Sequence, residues 1–227
     1  MLLDALGTLL SFEPPAPRLR AALAERGHAV SEEAAKEAIR AEIAYYRAHL
    51  HEGTDAAALA GLRARCAEAM QPALPGIPLP DVLAALMEAL RFFAYPDAAP
   101  ALTGLRDAGI RTVVVSNWDA SLHERLTETG LSVLVDGALA SAEVGAAKPA
   151  RAIFAAALEL AGAGAEDAWH VGDTIEADVE GARAAGLTPV LIDRDRARGG
   201  GAAPEERLRG VPVISSLAEL LPLMASR

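Results

Sequence analysis

The sequence has little of what marks a secreted or membrane protein. Cys66 is the single cysteine among 227 residues, so an internal disulfide is excluded and a reducing compartment such as the cytoplasm is expected. No apolar run approaches the length that crosses a bilayer, and Met1 leads into a strand-like segment rather than a signal peptide. We therefore predict a cytoplasmic protein with no membrane partner.

Positive charge is also scarce. The formal net charge is −10, which disfavours a nucleic-acid partner on electrostatic grounds. Lys36 and Lys148 are the only lysines among 21 basic residues, so a lysine at a motif position is more informative than usual. The expected partner is a small molecule, and the expected assembly is a monomer or a homodimer.

Residues 12–93 lack a convincing strand pattern. Four helices are predicted there, at about 18–26, 31–50, 54–70 and 81–93, with glycine- or proline-containing breaks between them. Four helices joined by short connections indicate a small bundle.

After residue 94 the pattern changes to alternating strands and helices. Apolar or β-branched runs that predict strands lie at 111–115, 137–141, 168–171, 188–192 and 211–214. The alternation predicts an α/β fold, a Rossmann-like core with a mainly parallel sheet. We predict that this core comprises residues 1–11 and 94–227, with residues 12–93 inserted as an α-helical cap. The polar, glycine-containing stretch 194–210 predicts a mobile loop.

Polar groups follow the ends of several predicted strands. They are Asp4 with Thr8, Ser116 with Asn117, Lys148 with Pro149, and Asp173 with Asp178. Taken singly, each has an ordinary structural explanation, such as a turn, a helix cap or a solvated helix face. In an open α/β sheet, however, functional groups gather beyond the carboxyl ends of the strands. Together these residues predict one site.

The acidic members of this predicted site suit a metal ion. Asp4, Asp173 and Asp178 supply oxygen ligands of the kind that Mg²⁺ prefers, with waters completing the coordination. Asp173 and Asp178 are five residues apart across a loop-to-helix junction, so that one can bind the metal and the other its waters. Mg²⁺ is therefore the expected cofactor.

The remaining members suit a phosphoryl group. Ser116, the amide of Asn117 and Lys148 supply donors and one positive charge for phosphoryl oxygens. Thr8 offers a hydroxyl and an amide that would help to orient the same group. Asp4 could attack phosphorus in line, giving an aspartyl-phosphate that water then hydrolyses.

The arrangement resembles the haloacid dehalogenase (HAD) superfamily of hydrolases, in the subfamily with a helical insert. The matching segments are 4–8, 116–119, 148–149 and 172–186. The resemblance implies that Asp4 is the nucleophile and a metal ligand, that Asp173 and the backbone carbonyl of Leu6 also bind Mg²⁺, and that Lys148 is catalytic. Within the superfamily the sequence is most similar to the branch named for a rhythmically expressed gene, whose first motif often lacks its second aspartate.

Leu6 departs from the phosphatase pattern of the superfamily. That pattern has a second aspartate at this position, which protonates the leaving group and then activates water. Leu6 cannot transfer a proton, and loss of a positioned acid or base costs about 10²–10⁴-fold in rate. Good leaving groups, such as those of acyl phosphates or p-nitrophenyl phosphate, should still react, whereas ordinary sugar or alcohol phosphates should be poor substrates.

Other functions compete with a Mg²⁺-dependent phosphatase. A 2-haloacid dehalogenase displaces halide without a proton, but that family has an aromatic residue where Leu6 stands and lacks the metal-binding acid at Asp173. A phosphonoacetaldehyde hydrolase needs a lysine in the helical insert, and Lys36 lies in a charged helical stretch where solvation is expected. A catalytically weak member that binds a phospholigand or a protein is the third alternative. His170 is predicted to pack under the last motif rather than to act as a ligand.

Overall fold

The computed structural model describes residues 1–194 and 207–226. The glycines at 199–201, within the predicted mobile loop, lie outside the described residues. In the two described ranges no helix is long and apolar enough to cross a bilayer. By its contacts the chain divides into two compact units. The α/β unit comprises Met1–Ser11, Ala94–Trp118 and Leu122–Arg227, and the helical unit comprises Phe12–Phe93 and Asp119–Ser121.

The helical unit contains four long helices. They are α1 (Pro15–Glu25), α2 (Glu32–His49), α3 (Ala56–Met70) and α4 (Leu79–Ala89). Their buried faces meet in one apolar cluster, whose larger members include Leu19, Leu23, Leu62, Met70 and Leu86. Burying side chains of this size stabilises a fold by about 1.5–3 kcal/mol each before chain entropy is counted.

Side-chain caps start two of these helices. The Ser31 hydroxyl accepts a hydrogen bond from the backbone N–H of Ala34, at 3.1 Å, ahead of α2. The Asp55 carboxylate accepts bonds from the N–H groups of Ala57 and Ala58, both at 2.9 Å, ahead of α3. These bonds satisfy backbone donors that have no partner within the helix.

The α/β unit is built on a six-stranded sheet. The strands within residues 1–194 and 207–226 are β1 (Leu2–Leu3), β2 (Leu10–Phe12), β3 (Phe92–Ala94), β4 (Val113–Ser116), β5 (Gly137–Ala140), β6 (Trp169–Gly172), β7 (Thr188–Ile192) and β8 (Val213–Ile214). The spatial order of the sheet is β5-β4-β1-β6-β7-β8, and each of these neighbours pairs in parallel. The predicted α/β class with a mainly parallel sheet is therefore confirmed.

The short strand β1 lies at the centre of the sheet, between β4 and β6. Leu3 is paired with Val114 of β4 on one side and with Val171 of β6 on the other. The N–H of Asp4 then donates to the carbonyl of Val171, at 2.9 Å. Because all three strands run in the same direction, their carboxyl ends lie side by side.

Helices and apolar side chains support this sheet. The α-helices described in the α/β unit are α5 (Ala98–Asp107), α6 (Leu122–Glu128), α7 (Ser141–Val144), α8 (Arg151–Ala161), α9 (Gly181–Ala184) and α10 (Leu220–Ala225). A π-helical segment, Ile175–Glu180, follows β6 and leads into α9. A buried cluster joins Leu2 of β1 and Val113 of β4 to Ile153 and Phe154 of α8. The strands therefore have a fixed packing partner on one face.

The structure corrects the sequence prediction at both ends of the helical region. The fourth helix was expected to reach residue 93, but α4 ends at Ala89 and Phe92–Ala94 forms a strand instead. This strand pairs with β2, which begins at Leu10 and includes Phe12. The expectation of no strand in residues 12–93 is therefore wrong at both of its borders. The first helix also begins earlier than predicted, at Pro15, because proline is well suited to the first turn of a helix.

Candidate active site

Three polar residues stand at the carboxyl ends of adjacent strands. Asp4 follows β1, Ser116 is the last residue of β4, and Asp173 follows β6. Lys148 comes from the loop between α7 and α8, next to the cis peptide bond that joins it to Pro149. The parallel sheet thus brings residues that are up to 169 positions apart in sequence to one edge of the α/β unit.

The Asp4 carboxylate is nearly buried, with 6% of the residue exposed, and receives two donors. The Ser116 hydroxyl donates to its Oδ1 at 3.0 Å, and the Lys148 ammonium donates to the same oxygen at 2.6 Å. Burial raises the pKa of Asp4, and the charge of Lys148 opposes that rise. Burial would lower the pKa of Lys148, but the charges of Asp4 and Asp178 outweigh it and the net shift is upward. Lys148 is therefore held as an ammonium ion.

The side chain of Asn117 positions the lysine loop. Its Nδ2 donates to the backbone carbonyl of Lys148 at 2.9 Å, and its Oδ1 accepts from the backbone N–H of Lys148 at 2.7 Å. The nitrogen and the oxygen of the Asn117 side chain therefore both bind the backbone of Lys148. The sequence suggested a phosphate-binding role for the backbone amide of Asn117 and did not anticipate this use of the side chain.

Asp178 lies beneath the site with four donors on its carboxylate. Lys148 Nζ and His170 Nε2 contact Oδ1 at 2.6 and 2.9 Å, and Thr174 contacts Oδ2 through its N–H at 3.0 Å and its hydroxyl at 2.6 Å. Burial opposes ionisation, but Lys148 and His170 overcome it and hold the pKa of Asp178 well below its usual range. Burial lowers the pKa of His170. Asp178 is therefore an anion whose two carboxylate oxygens are both held by hydrogen bonds.

Two glycines give the acidic residues the room they need. Gly7 has φ of +87°, and a Cβ there would lie 2.0 Å from Oδ2 of Asp173. A Cβ on Gly172 would lie 2.1 Å from Cγ of Asp178. Both distances are far below van der Waals contact, so a larger residue at either position would displace a carboxylate. The glycines of the first and last motifs are thus explained by close approach of these side chains.

The carboxylates fit a hard divalent cation. Asp4, Asp173 and Asp178 each offer an oxygen, and these atoms lie within 4.8 Å of one another. The ammonium of Lys148 is bonded to Asp4 and Asp178. When all four side chains are ionised, the three carboxylates carry three negative charges and Lys148 carries one positive charge. Asp173 is exposed, yet loss of water around its carboxyl group, followed by the charges of Asp4 and Asp178, raises its pKa above the usual range. A divalent cation would relieve this repulsion, and oxygen donors are the ones it prefers.

The other residues of the first motif are placed differently. The side chain of Leu6 is 38% exposed and offers no proton donor. Thr8 is fully buried, and its hydroxyl has no hydrogen-bond partner within the described part of the chain. The structure thus joins Ser116, Lys148, Asp173 and Asp178 to Asp4 but does not link the Thr8 hydroxyl to them.

Sequence reasoning missed an arginine that fixes the first-motif turn. The guanidinium of Arg194 donates to the backbone carbonyl of Thr8 and, at 2.6 Å, to Asp97. It also lies 4.0 Å from the centroid of the Tyr95 ring. Ser216 donates to the same oxygen of Asp97 at 2.6 Å. Nothing in the local sequence around Arg194 signals a contact with a residue 186 positions away.

An open parallel sheet that gathers three carboxylates and a lysine at its carboxyl edge is the architecture of an α/β enzyme. The model of the haloacid dehalogenase-like hydrolase family matches residues 1–186, which is most of the chain. The protein therefore belongs to the haloacid dehalogenase-like hydrolases, and the resemblance noted in the sequence is confirmed.

Known relatives include named phosphatases and structures of the same fold. The chain is 37% identical over 99 residues to ribulose-1,5-bisphosphate 5-phosphatase of Halopiger xanaduensis, covering 43% of this chain and 41% of that protein. It is 32% identical over 162 residues to haloacid dehalogenase-like hydrolase domain-containing protein 3 of Homo sapiens, covering 66% and 62%. The matches thus span less than two thirds of either relative.

A solved 2-haloacid dehalogenase from Pseudomonas syringae has a similar fold. Its TM-score is 0.66 at 24% sequence identity, with 99% of this chain and 97% of that chain covered. At this level of identity the likeness establishes the fold alone.

Proposed function

We propose that this protein is a Mg²⁺-dependent phosphatase that acts on a small phosphorylated metabolite through an aspartyl-phosphate. The observation that carries the proposal is the setting of Asp4, whose Oδ1 is bonded by Ser116 and Lys148 while Asp173 stands beside it. The named phosphatase among the relatives supports the same reaction class. The helical unit is proposed to serve as the cap that selects the substrate.

Asp4 is the proposed nucleophile. Both side-chain donors described for it bond Oδ1, so Oδ2 keeps its lone pairs for attack on phosphorus. A new bond between the Asp4 oxygen and phosphorus forms as the bond from phosphorus to the leaving-group oxygen breaks. Water then attacks phosphorus, the bond to Asp4 breaks, and inorganic phosphate and the free carboxylate are released.

Ser116 and Lys148 would stabilise the phosphoryl oxygens. Both already donate to Oδ1 of Asp4, so their donor groups lie within hydrogen-bonding distance of the carboxylate that phosphorus must approach. Fixed donors of this kind need no reorganisation during the reaction, which is why they stabilise transition-state charge effectively. The backbone N–H of Asn117 is proposed as a further donor, and Thr8 is proposed to act through the shape of its turn.

The acidic cluster is proposed to hold the metal. Asp4, Asp173 and the backbone carbonyl of Leu6 would be its protein ligands, and Asp178 would support them by anchoring Lys148. When bound, Mg²⁺ supplies charge neutralisation that lets an anionic nucleophile approach an anionic phosphate. Repulsion from Asp4 and Asp178 adds to the rise that desolvation causes in the pKa of Asp173, and such a cation would remove this repulsion.

Leu6 restricts the substrates that this site can process well. An apolar side chain cannot protonate an alkoxide as it leaves, so solvent must supply that proton. Anions that are stable without a proton leave readily, which favours acyl phosphates over alcohol phosphates. Replacing Leu6 by aspartate should therefore accelerate the poor substrates most, by about 10²–10⁴-fold if the new carboxyl is well placed.

One substrate screen tests the proposal. Acetyl phosphate, p-nitrophenyl phosphate, a sugar phosphate and 2-chloropropionate are incubated with Mg²⁺ or with EDTA. The proteins are the wild type, Asp4→Asn, Leu6→Asp and the exposed control Asp107→Asn. We expect Mg²⁺-dependent phosphate release that Asp4→Asn abolishes and Asp107→Asn preserves. Chloride release that persists in EDTA would refute the phosphatase and support a dehalogenase. Absence of turnover with Mg²⁺-dependent binding of a phosphate analogue would support the binding-protein alternative.

A further inference from the structure

A buried line of hydrogen bonds runs from the interior of the sheet to Asp4. His170 Nε2 contacts Asp178 Oδ1 at 2.9 Å, the same oxygen contacts Lys148 Nζ at 2.6 Å, and Lys148 Nζ contacts Asp4 Oδ1 at 2.6 Å. His170 belongs to β6 and is fully buried. Its ring is therefore connected to the proposed nucleophile through three contacts in series.

The surroundings of His170 assign its protons. Asp178 is held as an anion by Lys148 and Thr174, so it accepts and the imidazole must donate through Nε2. Nδ1 has no hydrogen-bond partner in the part of the chain that the structure describes. The ring also meets Phe154 in an edge-to-face contact, with centroids 5.1 Å apart. The neutral tautomer with the proton on Nε2 satisfies these contacts, because a proton on Nδ1 would be buried without an acceptor.

His170 completes the set of donors around Asp178. An ionised carboxylate has about four lone-pair positions, and Lys148, His170 and the two groups of Thr174 fill them. Without the imidazole N–H, Lys148 would be the one remaining donor described for Oδ1 of Asp178. The electron density freed on that oxygen would then strengthen its attraction for the shared ammonium and draw Lys148 away from Asp4.

We propose that His170 is a positioning residue for the reaction, whose Nε2–H holds Asp178 so that Lys148 stays on Asp4. This inference rests on the proposed function, in which a carboxylate oxygen of Asp4 attacks phosphorus. It assigns to His170 a role beyond packing, because an apolar residue of similar size would fill the same space against Phe154 but would leave Asp178 one donor short.

Two substitutions distinguish a positioning role of His170 from a role in packing alone. His170→Gln retains an N–H donor near the position of Nε2, whereas His170→Leu retains only bulk. With acetyl phosphate and Mg²⁺, we expect His170→Leu to lower kcat by about 10–100-fold, as is usual when a partner of a metal-site residue is removed. KM should change little, because His170 does not face the substrate, and His170→Gln should recover most of kcat. Equal losses in both variants, or a wild-type kcat in His170→Leu, would overturn the proposal.

A spectroscopic measurement tests the same contact without turnover. Long-range ¹H–¹⁵N NMR of the substrate-free wild type should show His170 as the neutral tautomer protonated on Nε2, with the assignment made by loss of the signal in His170→Gln. A proton on Nδ1 would overturn the proposal even if His170→Leu failed to fold. If no substrate is turned over, the proposed phosphatase function fails, and the NMR result still decides how His170 meets Asp178.

Discussion

A buried carboxyl group in the helical unit makes stability depend on pH. Glu42 lies on α2 with 5% of its surface exposed, and burial raises its pKa from 4.5 to about 7. A hydrogen bond with the thiol of Cys66 opposes part of this rise. The folded protein therefore keeps a proton on Glu42 over a pH range in which the unfolded chain has already lost it.

The sign and size of the effect follow from this difference. Below pH 4.5 the carboxyl is neutral in both states, and its full contribution to stability is present. As pH rises towards 7 the unfolded state ionises first, so stability falls by about 1.4 kcal/mol per pH unit, reaching a loss of about 3 kcal/mol above pH 7. Glu42→Gln keeps the shape of the side chain and removes the titration. Its stability relative to the wild type should therefore rise by about 3 kcal/mol between pH 4.5 and pH 8.

Urea unfolding followed by far-ultraviolet circular dichroism at several pH values measures this difference. The exposed Glu37 of the same helix provides a matched control, because Glu37→Gln should follow the wild type within about 0.5 kcal/mol. The comparison with the wild type cancels the titration of all other groups. Parallel profiles of wild type and Glu42→Gln from pH 5 to pH 8 would refute the reasoning.

Three further predictions concern single contacts. Gly172→Ala should reduce phosphate release from acetyl phosphate by at least about 10-fold, because its Cβ would collide with Asp178; unchanged initial rates would contradict this. Arg194→Met should destabilise the α/β unit by about 1–3 kcal/mol by removing the charged donor from the Thr8 carbonyl, which urea unfolding measures with Arg194→Lys as the control. Ser31→Ala should cost about 1 kcal/mol through loss of the helix cap, and a change below about 0.3 kcal/mol in the same assay would count against it.

The convergence of the polar residues could be predicted from the sequence because each follows a strand directly. Asp4, Ser116 and Asp173 come at the ends of apolar runs, and a parallel sheet necessarily places those ends along one edge. Lys148 was harder to place, since it lies in the loop between α7 and α8 rather than at the end of a strand, but the scarcity of lysine made it informative. The α/β class follows from the same alternation of strands and helices.

Other features depend on contacts that leave no trace in local sequence. Phe92–Ala94 is a three-residue strand that follows a helix without a breaker, so periodicity cannot distinguish it from a further helical turn. The partners of Asp178 were also hidden. A histidine within a strand can face either side of the sheet, and the contact of His170 with Asp178 depends on how the helical segment after β6 folds back. The link from Arg194 to Thr8 joins opposite ends of the chain and has no local signal.

Leu6 affects the charge balance of the site as well as removing a proton donor. Asp4, Asp173 and Asp178 against Lys148 leave two negative charges uncompensated when all are ionised, which one divalent cation would neutralise. A fourth carboxylate at position 6, next to the Gly7 that contacts Asp173, would add a further negative charge to this turn and would tend to take up a proton. That proton is the one that an alkoxide leaving group requires. In a chain with Leu6 a cation would balance the site without any proton being held there, so the proposed function favours substrates whose leaving groups need no proton.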